Sequence, residues 1–264
     1  MTLPGAVWQT PILPWRRAFP VRLELYQRAG ERIAGKTHLF GRRAELHAFG
    51  ISPIYSDSQK HWRLRDVDGN EYVDLILGAR SVLLGHADPP VVEAVQRQAA
   101  RGTGLSINHP LKLEVADLTH ELVPWAEMVR FCKGRGGAGM MAVRIARAAT
   151  GRSKVLFSGY HGWHDWYIAA NLSDGSPLKR HLLPGIAPPG VPKELTGTTI
   201  PFEYNLASLQ SSLEANSDEV ACVTLEAART FVPEPGYLEA VRDLTHAHGA
   251  VLMFDEVVTG FRLS

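Results

Sequence analysis

Three short segments hold side chains that could do chemistry. The first, Lys133-Gly134-Arg135-Gly136-Gly137-Ala138, follows the apolar run MVRFC at 128–132. Glycines let a backbone come close to a ligand, and a helix opening there presents free N–H groups and the positive end of its dipole. A phosphate suits such a turn, with Lys133 or Arg135 adding charge; a flexible strand-to-helix turn has the same composition. The segment is no Walker A loop, because GxxxxGK[ST] is absent. It is no G-x-G-x-x-G fingerprint either, because Gly139 falls inside the expected helix. The second segment, Tyr160-His161-Gly162-Trp163-His164-Asp165-Trp166, lies just past the apolar run KVLF at 154–157. Aromatic rings at the carboxyl end of a strand can stack on a planar ligand. His161, His164 and Asp165 are metal-ligand types, but their spacing matches no standard zinc motif, so aromatic packing is favoured and no metal is expected. The third segment is Phe254-Asp255-Glu256-Val257. Here an apolar strand ends in two acids whose side chains point to opposite sides. A carboxylate in that place is costly unless paired. A protonated ring nitrogen would serve, as would a salt bridge or a helix cap. Glu226 closes VACVTL (220–225) in the same way, with Arg229 or another arginine as its expected partner.

The elements that position these segments can be read from periodicity. Residues 1–20, rich in Pro and Trp, read as an irregular arm. Val21 to Ile33 has helical spacing. HWRLRDV and EYVDLIL, between His61 and Leu77, flank Asp68-Gly69-Asn70 and predict a hairpin. Pro89-Pro90 opens a helix behind Asp88, an expected N-cap, and that helix stops at Gly102. A further helix covers Pro110 to Leu122. Beyond it strands and helices alternate: strand 128–132, a helix ending at Gly151, strand 154–157, strand 220–225, a helix from Tyr237 to His248, and strand 250–254. That alternation predicts a mostly parallel α/β sheet. Asn171 to Ser217 is rich in Pro, Gly and Ser and reads mostly as loops. The expected division is an N-terminal region over 1–90 and an α/β domain over 91–264, with the boundary near 85–105.

Bulk properties exclude several classes. The formal net charge is +1 over 264 residues, without a long basic or acidic run, so nucleic acid and membrane surfaces are not expected partners. No stretch is apolar and long enough to span a bilayer. Cys132 and Cys222 form no framework of disulfide or metal spacing, which fits a reducing, cytoplasmic setting.

In this order the segments resemble class III aminotransferases dependent on pyridoxal 5′-phosphate (PLP), and within them the glutamate-1-semialdehyde 2,1-aminomutase-like branch. The likeness runs from about Leu64 to Arg262, through LRDVDGNEYVDL, LLGHADPPVVEAV, MVRFCKGRGGAGMMAVRIARAATGR, KVLFSGYHGWHDW, VTLEA and GAVLMFDEVVTGFR. It implies the type I fold of PLP-dependent transferases, a small amino, keto or semialdehyde substrate, and a homodimer with sites at the subunit interface. It implies roles as well. Backbone N–H groups of Gly136, Gly137 and Ala138 would bind the phosphate. Tyr160 would stack on the pyridine ring, with His161 beside it, and Val257 would back the other face. Asp255 would pair with the pyridine nitrogen, and Glu226 would be the Glu of the family's Leu-Glu-Pro segment.

The departures from the family pattern are specific. Arg135 stands where the family has a glycine, Gly136 and Gly137 stand where it has a hydroxyl residue and an acid, and Ala227 stands where it has proline. The family's cofactor-holding lysine lies on a strand beyond Asp255-Glu256-Val257, and Lys36, Lys60, Lys112, Lys133, Lys154, Lys179 and Lys193 are all elsewhere. The sequence therefore reads as C-terminally truncated and as inactive and poorly stable alone. The alternatives are a non-catalytic binder of PLP or phosphate and a subunit completed by another chain.

Overall fold

A computed structural model describes residues 19–173, 188–228 and 232–262. The expected N-terminal arm, part of the expected loop stretch and Arg229 lie outside these. The chain divides into two compact units, Met1–His109 and Pro110–Ser264.

In the first unit, helix α1 (Pro20–Arg32) buries Arg22, Tyr26 and Ala29, which share one face at helical spacing. The expected hairpin is present. Strands β2 (Arg63–Asp66) and β3 (Glu71–Val73) pair antiparallel with Leu64 opposite Tyr72. A further strand, β1 (Ser56–Lys60), lines up on β2. Its all-polar sequence SDSQK has no alternation to betray it, as is common on a solvated edge. Asp66 ties the turn together, accepting from the backbone N–H groups of Asp68 (3.0 Å) and Asn70 (2.8 Å) and from the Tyr72 hydroxyl (3.1 Å). Arg22 is fully buried beside it. Its guanidinium lies 3.6 Å from Asp66 and 3.8 Å from Asp68 and donates to the carbonyls of Gly50 and Ile51. After a short helix α2 (Leu77–Arg80) comes α3 (Pro89–Ala99), which belongs to this unit, beyond the expected boundary at residue 90. Asp88 holds the N-cap position, yet its side chain makes no cap hydrogen bond. A cap side chain bonds the N–H of the second or third helical residue; Pro90, the second, has none, which leaves only Val91 to offer one.

The second unit begins with α4 (Leu111–Leu122). The strand expected at 128–132 does not form: the segment has no ladder partner among the described residues, and Met128 is 93% exposed. An apolar run becomes a strand only where a neighbouring strand takes its hydrogen bonds. Helix α5 (Gly134–Thr150) follows directly and ends at Gly151, whose φ of 68° closes it with an N–H bond to the Arg147 carbonyl. Then come β4 (Lys154–Ser158), the short α6 (Asp165–Ile168), β5 (Thr199–Pro201), α7 (Leu206–Ala215), β6 (Val220–Glu226), α8 (Tyr237–Ala247) and β7 (Val251–Asp255). The four strands form a parallel sheet in the order β5-β4-β6-β7. β5 and α7 correct the loop reading of 171–217. Asn205 caps α7 by accepting from the Ser208 N–H at 2.8 Å, and β5, with Pro201 at its end, is an edge strand of the kind that tolerates proline.

Alternation along β4 builds two cores. Val155 and Phe157 pack with Val143 and Ala146 of α5, while Leu156 packs with Leu209, Leu213 and Val241 of α7 and α8. Helices thus cover both faces, as a parallel sheet requires. Among the described residues no helix is long and apolar enough to cross a membrane.

Candidate active site

Parallel strands end on the same side of their sheet, so the last residues of β4, β6 and β7 arrive together. Glu226 and Asp255 are direct register partners on adjacent strands, and Ser158 of β4 is level with Leu225. Side chains in one row of a sheet share a face, so two carboxylates stand side by side. Their side chains are only 12% and 10% exposed, and such a pair demands a cation.

The cation is Arg135, from the first turn of α5. Its Nη2 donates to Glu226 Oε1 at 3.0 Å and to Asp255 Oδ1 at 3.2 Å. Its Nε lies 3.1 Å from Asp255 Oδ2 but is not aligned for a hydrogen bond. The guanidinium carbon is also 5.2 Å from the centre of the Tyr160 ring. One partner of Glu226 is thus an arginine 91 residues away in sequence.

His161 is buried and bridges β4 to β7. Its Nδ1 is 2.9 Å from Asp255 Oδ2 and its Nε2 is 3.1 Å from the Ser158 carbonyl. Asp255 also accepts from the Val257 N–H at 3.1 Å. Burial pushes the Asp255 carboxyl upward, but the His161 hydrogen bond and the Arg135 charge outweigh it and hold the group below its ordinary value. Burial raises the Tyr160 hydroxyl, with Arg135 opposing.

The loop after β4 is drawn tightly against the start of α5. Gly159 has φ of 107°, and a Cβ there would stand 2.6 Å from Glu226 Oε2. A Cβ on Gly162 would lie 3.1 Å from Gly136 Cα, and one on Gly136 would meet the His164 ring at 2.5 Å. Glycine at these positions is therefore a packing requirement. Tyr167 anchors the loop from beneath, donating to the Gly159 carbonyl at 2.6 Å. His164 stacks on Trp163, away from the histidine that touches Asp255.

Of the residues singled out in the sequence, Tyr160, His161, Glu226 and Asp255 are brought together. Val257, about half exposed, lines a cavity of about 230 Å³ walled by Arg135, Ala138, Gly139, Ala142, His161 and residues 253–257. Because α5 starts at Gly134, the N–H groups of Gly137 and Ala138 are already spent on the carbonyls of Lys133 and Gly134. Those of Gly134, Arg135 and Gly136 have no partner within their own helix. Arg135 itself was legible as an oddity, a bulky cation in a glycine's place, but its reach to both acids was not.

A parallel sheet covered by helices, with an acid, an aromatic loop and a helix N-terminus at the carboxyl ends of its strands, defines a class. Residues 50–264 match the family described as Aminotransferase class-III, and the chain belongs to that family. It is 39% identical over 247 residues to the glutamate-1-semialdehyde 2,1-aminomutase of Syntrophobacter fumaroxidans, covering 91% of this chain and 55% of that protein. It is 41% identical over 249 residues to that of Chloroflexus aurantiacus, covering 90% and 54%. Among solved structures it resembles a transaminase with PLP bound, with a TM-score of 0.78 and 30% identity over 90% of this chain and 55% of that one. It also resembles a glutamate-1-semialdehyde aminomutase from Pseudomonas aeruginosa, with a TM-score of 0.75 and 25% identity over 94% and 54%. The chain spans about half the length of the curated relatives it matches.

Proposed function

We propose that this site takes pyridoxal 5′-phosphate and that the whole protein moves amino groups on small molecules, as an aminotransferase or as an aminomutase of the glutamate-1-semialdehyde type. The observation that carries this reading is the part-buried Asp255 carboxylate at the end of β7, fixed by His161 and linked through Arg135 to the Tyr160 ring. Asp255 would hold a proton on the pyridine nitrogen, and His161 would keep the carboxylate aimed. Tyr160 and Val257 would bound the two ring faces. The N–H groups of Arg135 and Gly136 would take the phosphate, with those of Gly137 and Ala138 lending their dipoles. When bound, the cofactor supplies an electron sink for a substrate carbanion. The residues present fit the group except at one point, the Arg135 side chain.

No lysine is among the described residues that line the cavity, which supports a reading in which those residues hold the cofactor without a covalent bond to it. The same lining favours a second reading, a non-catalytic binder. A homodimeric whole protein is supported by α4, whose Leu113, Leu118 and Leu122 are all more than half exposed. Two free cysteines suit a reducing, cytoplasmic setting.

Pyridoxamine 5′-phosphate is the probe of choice, because its amine cannot condense with surface lysines. Titration of the purified chain by calorimetry should give saturable binding of one equivalent, and Asp255→Ala should abolish it. Binding indifferent to that substitution would refute the assignment of Asp255.

A further inference from the structure

We propose that the Arg135 guanidinium is a built-in occupant of this site, a planar cation standing where the cofactor ring has to go, so that the cofactor enters only by displacing it. The proposal rests on the cofactor reading above. Four observations carry it. The guanidinium bonds the carboxylate that the ring nitrogen would need, at 3.2 Å from Asp255 Oδ1, and holds Glu226 at 3.0 Å with the same nitrogen. It lies 5.2 Å from the centre of the Tyr160 ring, the face on which a pyridine would stack. The remaining cavity, about 230 Å³, falls below the roughly 300–1,000 Å³ usual for small-molecule sites, and Arg135 is one of its walls. Finally, Arg135 is the second residue of α5 and reaches both acids through its own side chain, so the displacement calls for a change of its side-chain torsions.

The exchange is between like charges. A guanidinium and a protonated pyridine are both flat cations that satisfy a carboxylate, and they cannot share Asp255. When Arg135 leaves, Glu226 loses that partner and faces Asp255 across one register step, with His161 still bonded to Asp255. Arg135 therefore stabilises the empty site and opposes the cofactor. A glycine here, as in the resembling family, would remove the competitor.

The test is calorimetric titration of pyridoxamine 5′-phosphate into the chain and into Arg135→Ala and Arg135→Gln, each checked for native helix content by circular dichroism. Both neutral variants should bind about tenfold tighter or more, the scale set by losing one charge-assisted competitor. They should melt lower than the parent without ligand and show a larger ligand-induced rise in Tm. Methylguanidinium added to Arg135→Ala should compete with the ligand and erase the gain, which a purely structural role would not produce. Weaker binding in both variants would make Arg135 a phosphate ligand, and unchanged affinity would make it a bystander. Either result overturns the proposal and leaves the cofactor reading standing. Absence of saturable binding by the parent and both variants overturns the cofactor reading and the proposal with it.

Discussion

Replacing Asp255 by Asn keeps the shape of the side chain and removes its charge. The Asn oxygen can still accept from the Val257 N–H, now 3.1 Å from Oδ1. Its amide, in the place of Oδ2, would point donor hydrogens at His161 Nδ1 and Arg135 Nε, now 2.9 Å and 3.1 Å away. One charge-assisted bond and one close ion pair are lost from a group that is 10% exposed. At about 1.5–3 kcal/mol for a hydrogen bond to a charged group, the substitution should cost about 2–3 kcal/mol at pH 7. At roughly 2–4 °C per kcal/mol for a unit of this size, Tm should fall by about 5–10 °C. The pH dependence carries the sharper test. The carboxyl of Asp255 is held below its ordinary value in the fold, so its contribution is fully present above the unfolded value, about 3.9. It is lost as pH falls through the lower, folded value. Urea unfolding of the parent and the variant, followed by circular dichroism from pH 6 to pH 3, should therefore show a gap that narrows on acidification. A gap that is absent at pH 7, or that stays constant down to pH 3, would refute the electrostatic account of this site.

Gly159→Ala should destabilise the chain by about 1–3 kcal/mol, since φ of 107° and a Cβ 2.6 Å from Glu226 Oε2 both oppose a side chain. An unchanged urea midpoint would mean that the loop after β4 sits more loosely. Asp66→Ala should cost about 1.5–3 kcal/mol, because it takes one of two carboxylates from the buried Arg22 and empties the hairpin turn of its acceptor. Hydrogen exchange in 56–73 should quicken if this holds, and protection equal to that of the parent would show that Arg22 finds equivalent partners without Asp66.

What the sequence determined by itself was local. Period-3.6 spacing placed α1, α3, α4, α5 and α8, apolar runs placed β4, β6 and β7, and Asp68-Gly69 placed a hairpin, because each of these signals is written within a dozen adjacent residues. Resemblance carried the family and the identity of the site segments. The tertiary structure decided what depends on partners distant along the chain. MVRFC is apolar enough for a strand but has no ladder partner among the described residues, whereas polar SDSQK becomes one because β2 offers its edge. Asp88 looks like a cap, yet its side chain makes no cap hydrogen bond. Above all, no spacing rule links Arg135 to Glu226 and Asp255. Their meeting depends on the register between β6 and β7, which sets Glu226 opposite Asp255, and on where α5 begins.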